Sequence, residues 1–138
     1  MAIATNWQAT APTATGAVSW SKKNGENWPQ PGGTPPTSLE AHAYEAVSIY
    51  ARCATPGATP PTIIVEGAVK YAPGTSDWEA IRMVNEAGAE GVAAVDVTAT
   101  GTHYHLVLPR RYWWVRVRVV SMGTATVIED VHLAGFGV

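Results

Sequence analysis

The stretch Tyr112-Trp113-Trp114-Val115-Arg116-Val117-Arg118-Val119-Val120 decides the fold. Side chains of an extended strand point alternately to its two faces. Trp113, Val115, Val117 and Val119 share one parity and make an apolar face. Tyr112, Trp114, Arg116 and Arg118 share the other. Met122-Gly123 follows as a hairpin turn, and Thr124 to Val131 reads as the returning strand.

Working outward, the same period recurs. Ala43, Val47, Ile49, Ala51 and Cys53 lie on one parity, with Tyr44, Ser48, Tyr50 and Arg52 on the other. Pro56 to Pro61 reads as a loop, Thr62 to Tyr71 as a strand with a bulge at Gly67, and Pro73-Gly74 as a turn. Val95, Val97 and Ala99 alternate with Asp96, Thr98 and Thr100. Gly101-Thr102 turns, and His103 to Leu108 continues as strand. Residues 76–87 read two ways. Ser76-Asp77-Trp78-Glu79 fits a helix capping box, whereas Trp78, Ala80, Arg82 and Val84 fit one side of a strand; the β character of the rest favours the strand.

Composition agrees with this reading. Val and Ile together supply 22 residues and Leu only 4, and β-branched side chains suit a pleated surface better than a helix. Six to eight strands with turns every ~8–12 residues predict an all-β antiparallel β-sandwich or jelly roll over residues 39–138.

Residues 1–38 differ. Ala, Thr, Gly and Pro fill 21 of the 38 positions, and only Lys22, Lys23 and Glu26 are charged. This composition predicts an extended N-terminal arm. Trp7, Trp20 and Trp28 gain nothing in a solvated linker, so the arm is expected to dock through them, on its own domain or on a neighbour. Deleting residues 1–30 is then expected to leave a folded domain that no longer joins its assembly.

Charged residues make up 14% of the chain and the net charge is −2, against roughly 25% charged in an average soluble domain. A low-charge surface is poor for a free monomer; it fits a surface covered by other subunits and, equally, a small neutral domain. The overall field gives no drive toward nucleic acid or anionic lipid. Cys53 is the single cysteine, which excludes an intrachain disulfide and a cysteine-based zinc cluster; its parity predicts a buried, inert thiol. No leader or membrane-length apolar run is read, so synthesis in a cytoplasm is expected.

Candidate chemistry is sparse. His103 and His105 face the same side of a strand, and paired imidazoles can chelate a transition metal. Two ligands do not complete a site; His42 and His132 are the candidates to add, and no metal or cofactor is expected. The stripe Tyr112, Trp114, Arg116 and Arg118 holds residue types enriched at protein interfaces, and packing under the N-terminal arm is the alternative use for it. Tyr112 with Trp114, or Tyr44 with Tyr50, could instead stack on a sugar, as in a carbohydrate-binding module. Glu66, Asp77, Glu79, Glu86, Glu90, Asp96, Glu129 and Asp130 are scattered, and no nucleophile elbow, P-loop, G-x-G-x-x-G or H-E-x-x-H occurs. The chain therefore reads as a non-enzyme.

The run from Leu108-Pro109-Arg110-Arg111 through Tyr112–Val120 to Ser121-Met122-Gly123-Thr124-Ala125-Thr126-Val127 resembles the closing hairpin of small β-sandwich virion proteins of tailed bacteriophages: an aromatic-rich W-V-R-V-x-V strand, a Ser/Gly turn and a Thr/Val-rich return. Val95-Asp96-Val97-Thr98-Ala99-Thr100-Gly101 is similar to the strand before it, and the Ala/Thr/Pro arm resembles the arms of capsid decoration proteins. The resemblance implies a virion structural protein, most simply a head decoration (cement) protein, otherwise a tail or fibre-base component. It implies contact with a major capsid protein or other virion subunits, a homo-oligomer with a trimer favoured, a virion location, and no catalytic residue. His103-Tyr104-His105 also matches the H-x-H pairs of phage spike tips, but sits mid-domain.

Overall fold

The computed structural model describes residues 3–29, 32–85, 90–91 and 94–137. Its strands are β1 (Ile3–Ala9), β2 (Gly16–Ala17), β3 (Trp20–Lys23), β4 (Glu26–Asn27), β5 (Leu39–Glu40), β6 (Ala46–Arg52), β7 (Thr62–Ala68), β8 (Trp78–Ala80), β9 (Met83–Val84), β10 (Glu90–Gly91), β11 (Val95–Asp96), β12 (Thr102–Val107), β13 (Trp114–Ser121) and β14 (Asp130–Gly137). They form an all-β sandwich of two antiparallel sheets. The larger runs β10-β9-β12-β6-β14-β1-β3-β4, and the smaller runs β11-β7-β13-β2 with β5 on β13 and β8 on β7.

The predicted alternation explains how the sheets close on each other. Val115, Val117 and Val119 of β13 and Ile63 and Val65 of β7 are buried, as are Val47, Ile49 and Ala51 of β6 and Val131 and Leu133 of β14. These strands turn one apolar face inward and form a single core.

The N-terminal segment belongs to this core. β1 lies inside the larger sheet, pairing with β14 from Ile3↔Gly137 to Gln8↔His132 and with β3 on its other side. Trp7 is 4% exposed and Trp20 fully buried, packed with Ala9 and Val18 among the sandwich side chains. The expected arm over 1–38 is thus corrected: this stretch supplies strands to both sheets, and the boundary at residue 38 separates no second body. The reason is the alternation Thr5, Trp7, Ala9, all inward and buried, which buries enough aromatic surface to order a stretch of otherwise polar composition.

Residues 78–84 are extended, in line with the strand reading, but they are split. β8 pairs with β7 in the smaller sheet and β9 with β12 in the larger. Ile81 and Met83 are buried between them. The capping box does not form; Asp77 instead accepts the Gly74 amide at 2.7 Å, closing a turn. Residues 86–87 of that stretch lie outside the described residues.

Gly67 is not a bulge. The irregularity falls on β13, between Val119 and Ser121. Gly67 leaves room for the Tyr112 ring: a Cβ there would lie 2.6 Å from Tyr112 Cδ1.

Candidate binding surfaces

The first surface is the outer face of the larger sheet. The registers align its outward side chains in rows. One row is Val107, Ala46, Phe136 and Ala4. The next is His105, Ser48, Ala134 and Asn6. The third is His103, Tyr50, His132 and Gln8. None of these twelve residues carries a carboxylate, ammonium or guanidinium. Among the described residues charge borders these rows at Arg52, whose Nε donates to Asp130 Oδ2 at 2.9 Å, at Lys22, opposite Gln8, and at Glu45, which precedes Ala46 and pairs with Arg111. The apolar row is open: Val107 is 70% and Phe136 42% exposed.

Tyr50 sits between two imidazoles on this face, 4.6 Å from His103 and 6.1 Å from His132 between ring centroids. Ser48 Oγ and His105 Nδ1 are 3.1 Å apart. With Asn6, Val84 and Asn85, these residues line a shallow groove of about 280 Å³. His103 and His105 do share one face of β12. His132 lies beyond Tyr50, and His42 is elsewhere, its ring 4.3 Å from that of Trp113. Among the described residues no three His, Cys, Asp or Glu groups come together to hold a metal ion.

The second surface is a cleft of about 340 Å³ between the sheets, where β3 and β4 of the larger approach β5 of the smaller. Trp28 and Trp114, both half-buried, wall it. Trp7 and Tyr44 lie deeper, with rings edge-to-face at 5.6 Å. Tyr44 donates its hydroxyl to Thr5 Oγ1 at 2.8 Å. Trp114 is fixed by donation of its Nε1–H to the Tyr71 carbonyl at 2.7 Å. Lys23, Ser38, Glu40 and His42 supply the polar rim, with Glu40 Oε2 3.4 Å from His42 Nε2. The Nε1–H of Trp7 is buried and meets no acceptor.

The expected interface residues are distributed unequally. Trp7 and Trp20 are core side chains and present no surface to a neighbour; of the three supposed arm anchors, Trp28 alone is partly open. Tyr112 does not join the outward stripe. Regular pairing of β13 with β7 starts at Trp114, so the alternation breaks before it. Tyr112 turns inward over Gly67, is 1% exposed, and donates its hydroxyl to Glu79 Oε1 at 2.6 Å. Burial and that bond push its pKa well up.

Arg116 and Arg118 do share the outer face of the smaller sheet. Their Nε groups both bond Glu66 Oε1 at 3.0 Å, and the Arg116 guanidinium stacks 4.1 Å from the Trp78 ring centre. Burial alone would raise the Glu66 carboxyl. The hydrogen bonds from Arg118 and Arg116 outweigh it and hold the group below its ordinary range.

Other titratable groups among the described residues make local contacts. Glu79 also pairs with Arg110, Glu45 with Arg111 and Asp77 with Lys70, at 3.0–3.3 Å. Glu129 accepts the Ala54 amide at 2.8 Å. Cys53 is fully buried and donates to the Val127 carbonyl at 3.3 Å; burial raises its pKa, which leaves the thiol a poor nucleophile. Among the described residues no helix is long and apolar enough to cross a membrane.

Sequence reasoning named Tyr44, Tyr50 and Trp114 as stacking candidates but missed the surfaces they belong to. Tyr50 needs His103 and His132 from two neighbouring strands. Trp114 needs Trp28, 86 residues away in the chain. No local pattern signals either meeting. No family model matches the chain, and no curated protein or solved structure matches it.

Proposed function

We propose that this chain is a virion structural subunit of the capsid-decoration type, and that it acts by seating the outer face of its larger sheet on neighbouring subunits. The observation that carries the assembly role is the absence of charge from three consecutive rows of that face. An outward sheet face in water is ordinarily polar and charged, and the buried centre of a protein interface is the surface depleted of charge. Here Val107 and Phe136 stand open beside Ala46 and Ala4, with hydrogen-bonding side chains in the two rows beyond. A partner face covering this area would remove apolar surface from water without stranding a charge. The virion setting rests on the resemblance of the run Leu108–Val127 and of Val95–Gly101 to phage sandwich proteins, although the expected hairpin at Met122-Gly123 does not form: β13 belongs to the smaller sheet and β14, which begins only at Asp130, to the larger. Contact here runs through a rigid sheet face and needs no extended arm.

Light scattering after size exclusion tests the role. The full chain is expected to run as a trimer or larger assembly, and Phe136→Asp as a monomer with an unchanged melting profile. A full chain that stays monomeric over a wide concentration series, or a Phe136→Asp variant that assembles as the parent does, would refute it. Peptide mass spectrometry of purified tailed-phage particles that carry the chain's coding sequence tests the location.

A further inference from the structure

We infer that the cleft between the sheets, walled by Trp28 and Trp114, binds a neutral saccharide. This site lies apart from the charge-free sheet face, and the inference does not depend on that face joining subunits.

Three features converge on this ligand chemistry. First, a pyranose ring has apolar C–H faces and a girdle of hydroxyls, so it packs best where flat aromatics alternate with hydrogen-bonding groups. Trp28 and Trp114 offer half-open indoles across a space of about 340 Å³, at the small end of the ~300–1,000 Å³ range of ligand pockets. The bond from Trp114 Nε1 to the Tyr71 carbonyl fixes one wall in advance, which lowers the ordering cost of binding.

Second, the rim is electrically balanced. Lys23, its ammonium 5.8 Å from the Trp28 ring centre, brings one positive charge, and Glu40, 3.4 Å from His42, brings one negative charge; Ser38 also lines the rim. A phosphate or carboxylate ligand would meet Glu40, and a cationic ligand would meet Lys23. A polyol satisfies both, its hydroxyls accepting from the ammonium and donating to the carboxylate.

Third, the floor contains an unmet donor. The Trp7 side chain is more than nine-tenths buried and lines the cleft, and its Nε1–H has no acceptor. An indole nitrogen can only donate, and a buried unmatched donor is costly. The nitrogen itself exposes under 1 Å², so a sugar oxygen completes it only with a small shift of the Trp7 ring. Trp20 and Trp113 carry the same unmet indole donor; Trp7 differs from them in lining the cleft.

The experiment is a titration of the full chain with glucose, galactose, mannose and N-acetylglucosamine. It is read by tryptophan fluorescence and by saturation-transfer NMR of the sugar protons. At least one sugar is expected to bind saturably. Trp28→Ala, which removes a wall, and Glu40→Gln, which keeps the shape and removes the charge, should each weaken binding ten-fold or more. Tyr50→Ala, on the other face, should leave it unchanged. Melting curves identify any variant that has failed to fold, and Glu40→Gln, at an exposed rim position, keeps the test decisive if Trp28→Ala does so. The inference is overturned by the absence of saturation with all four sugars at ten-fold above ~1 mM, the weak end of specific affinities. It is equally overturned if binding survives Glu40→Gln at full strength or disappears in Tyr50→Ala.

Discussion

Removing residues 1–30 should unfold this protein. The deletion takes away β1, an internal strand of the larger sheet, together with β2, β3 and β4. Two fully packed indoles go with them, Trp7 and Trp20, along with buried Ala9 and Val18. Truncating one buried Trp to Ala costs ~3–5 kcal/mol, so the two indoles alone exceed ~6 kcal/mol. A domain of this size has ~5–15 kcal/mol in total. The loss of β1 also strips the β14 edge of its partner over six register positions, leaving unpaired amides and carbonyls beside a core opened to water. The two costs together are larger than the margin. The assay is a urea titration of residues 31–138 and of the full chain, followed by far-UV circular dichroism, with amide proton dispersion by NMR as a second probe. The truncation is expected to lack a cooperative transition and to show collapsed amide dispersion. Trp20→Ala in the full chain should retain a transition shifted by ~3–5 kcal/mol. A truncated chain that unfolds cooperatively with dispersed amides would refute the placement of β1 inside the sheet and restore the reading of a separable arm.

Two further outcomes follow from local geometry. Gly67→Ala places a methyl group 2.6 Å from Tyr112 Cδ1, so the ring must shift and its bond to Glu79 stretch; a loss of ~1–3 kcal/mol is expected in urea denaturation, while Gly67→Ala combined with Tyr112→Ala should lose less than the two changes summed. The Glu66 carboxyl is depressed in the folded protein, so its contribution is full above the ordinary unfolded value of ~4.3 and is lost as pH falls through the lower folded value. Melting temperature should therefore fall on acidification below that point, and less steeply in Glu66→Gln, which at neutral pH should cost less than the ~3–5 kcal/mol of a broken buried pair because Arg118 is 36% exposed.

How far this architecture could be read from residues depended on which forces left a local trace. The inward sets Val115, Val117, Val119 and Val47, Ile49, Ala51, Cys53 were legible because strands with one buried face repeat every two residues, and Val and Ile fill the buried positions. β1 carries the same period in Thr5, Trp7 and Ala9, but two of its three inward residues are small or polar, so composition masked the alternation. Tyr112 was placed on the wrong face because parity holds only within a regular strand, and β13 begins two residues later. What decided its position was Gly67, a residue without a side chain 45 positions upstream, whose vacancy is visible only once β7 and β13 are paired.

The surfaces were hidden for a related reason, and their composition explains the low charge that the sequence did show. A chain with 14% charged residues could spread them evenly or concentrate them. Several of its charges pair on the smaller sheet and its loops, Arg116 and Arg118 on Glu66, Arg110 on Glu79 and Lys70 on Asp77, while Arg52–Asp130 and Arg111–Glu45 sit at the borders of the larger sheet's outer face. Such pairs add little stability where exposed, so their clustering is poorly explained by stability alone. Its consequence is a larger sheet whose outer face holds Val107, Phe136, Tyr50 and three histidines across twelve positions without a formal charge. A free monomer gains nothing from open apolar surface beside imidazoles. A subunit that must dock a flat face on another gains on every row, because no ion has to be stripped of water to make the contact.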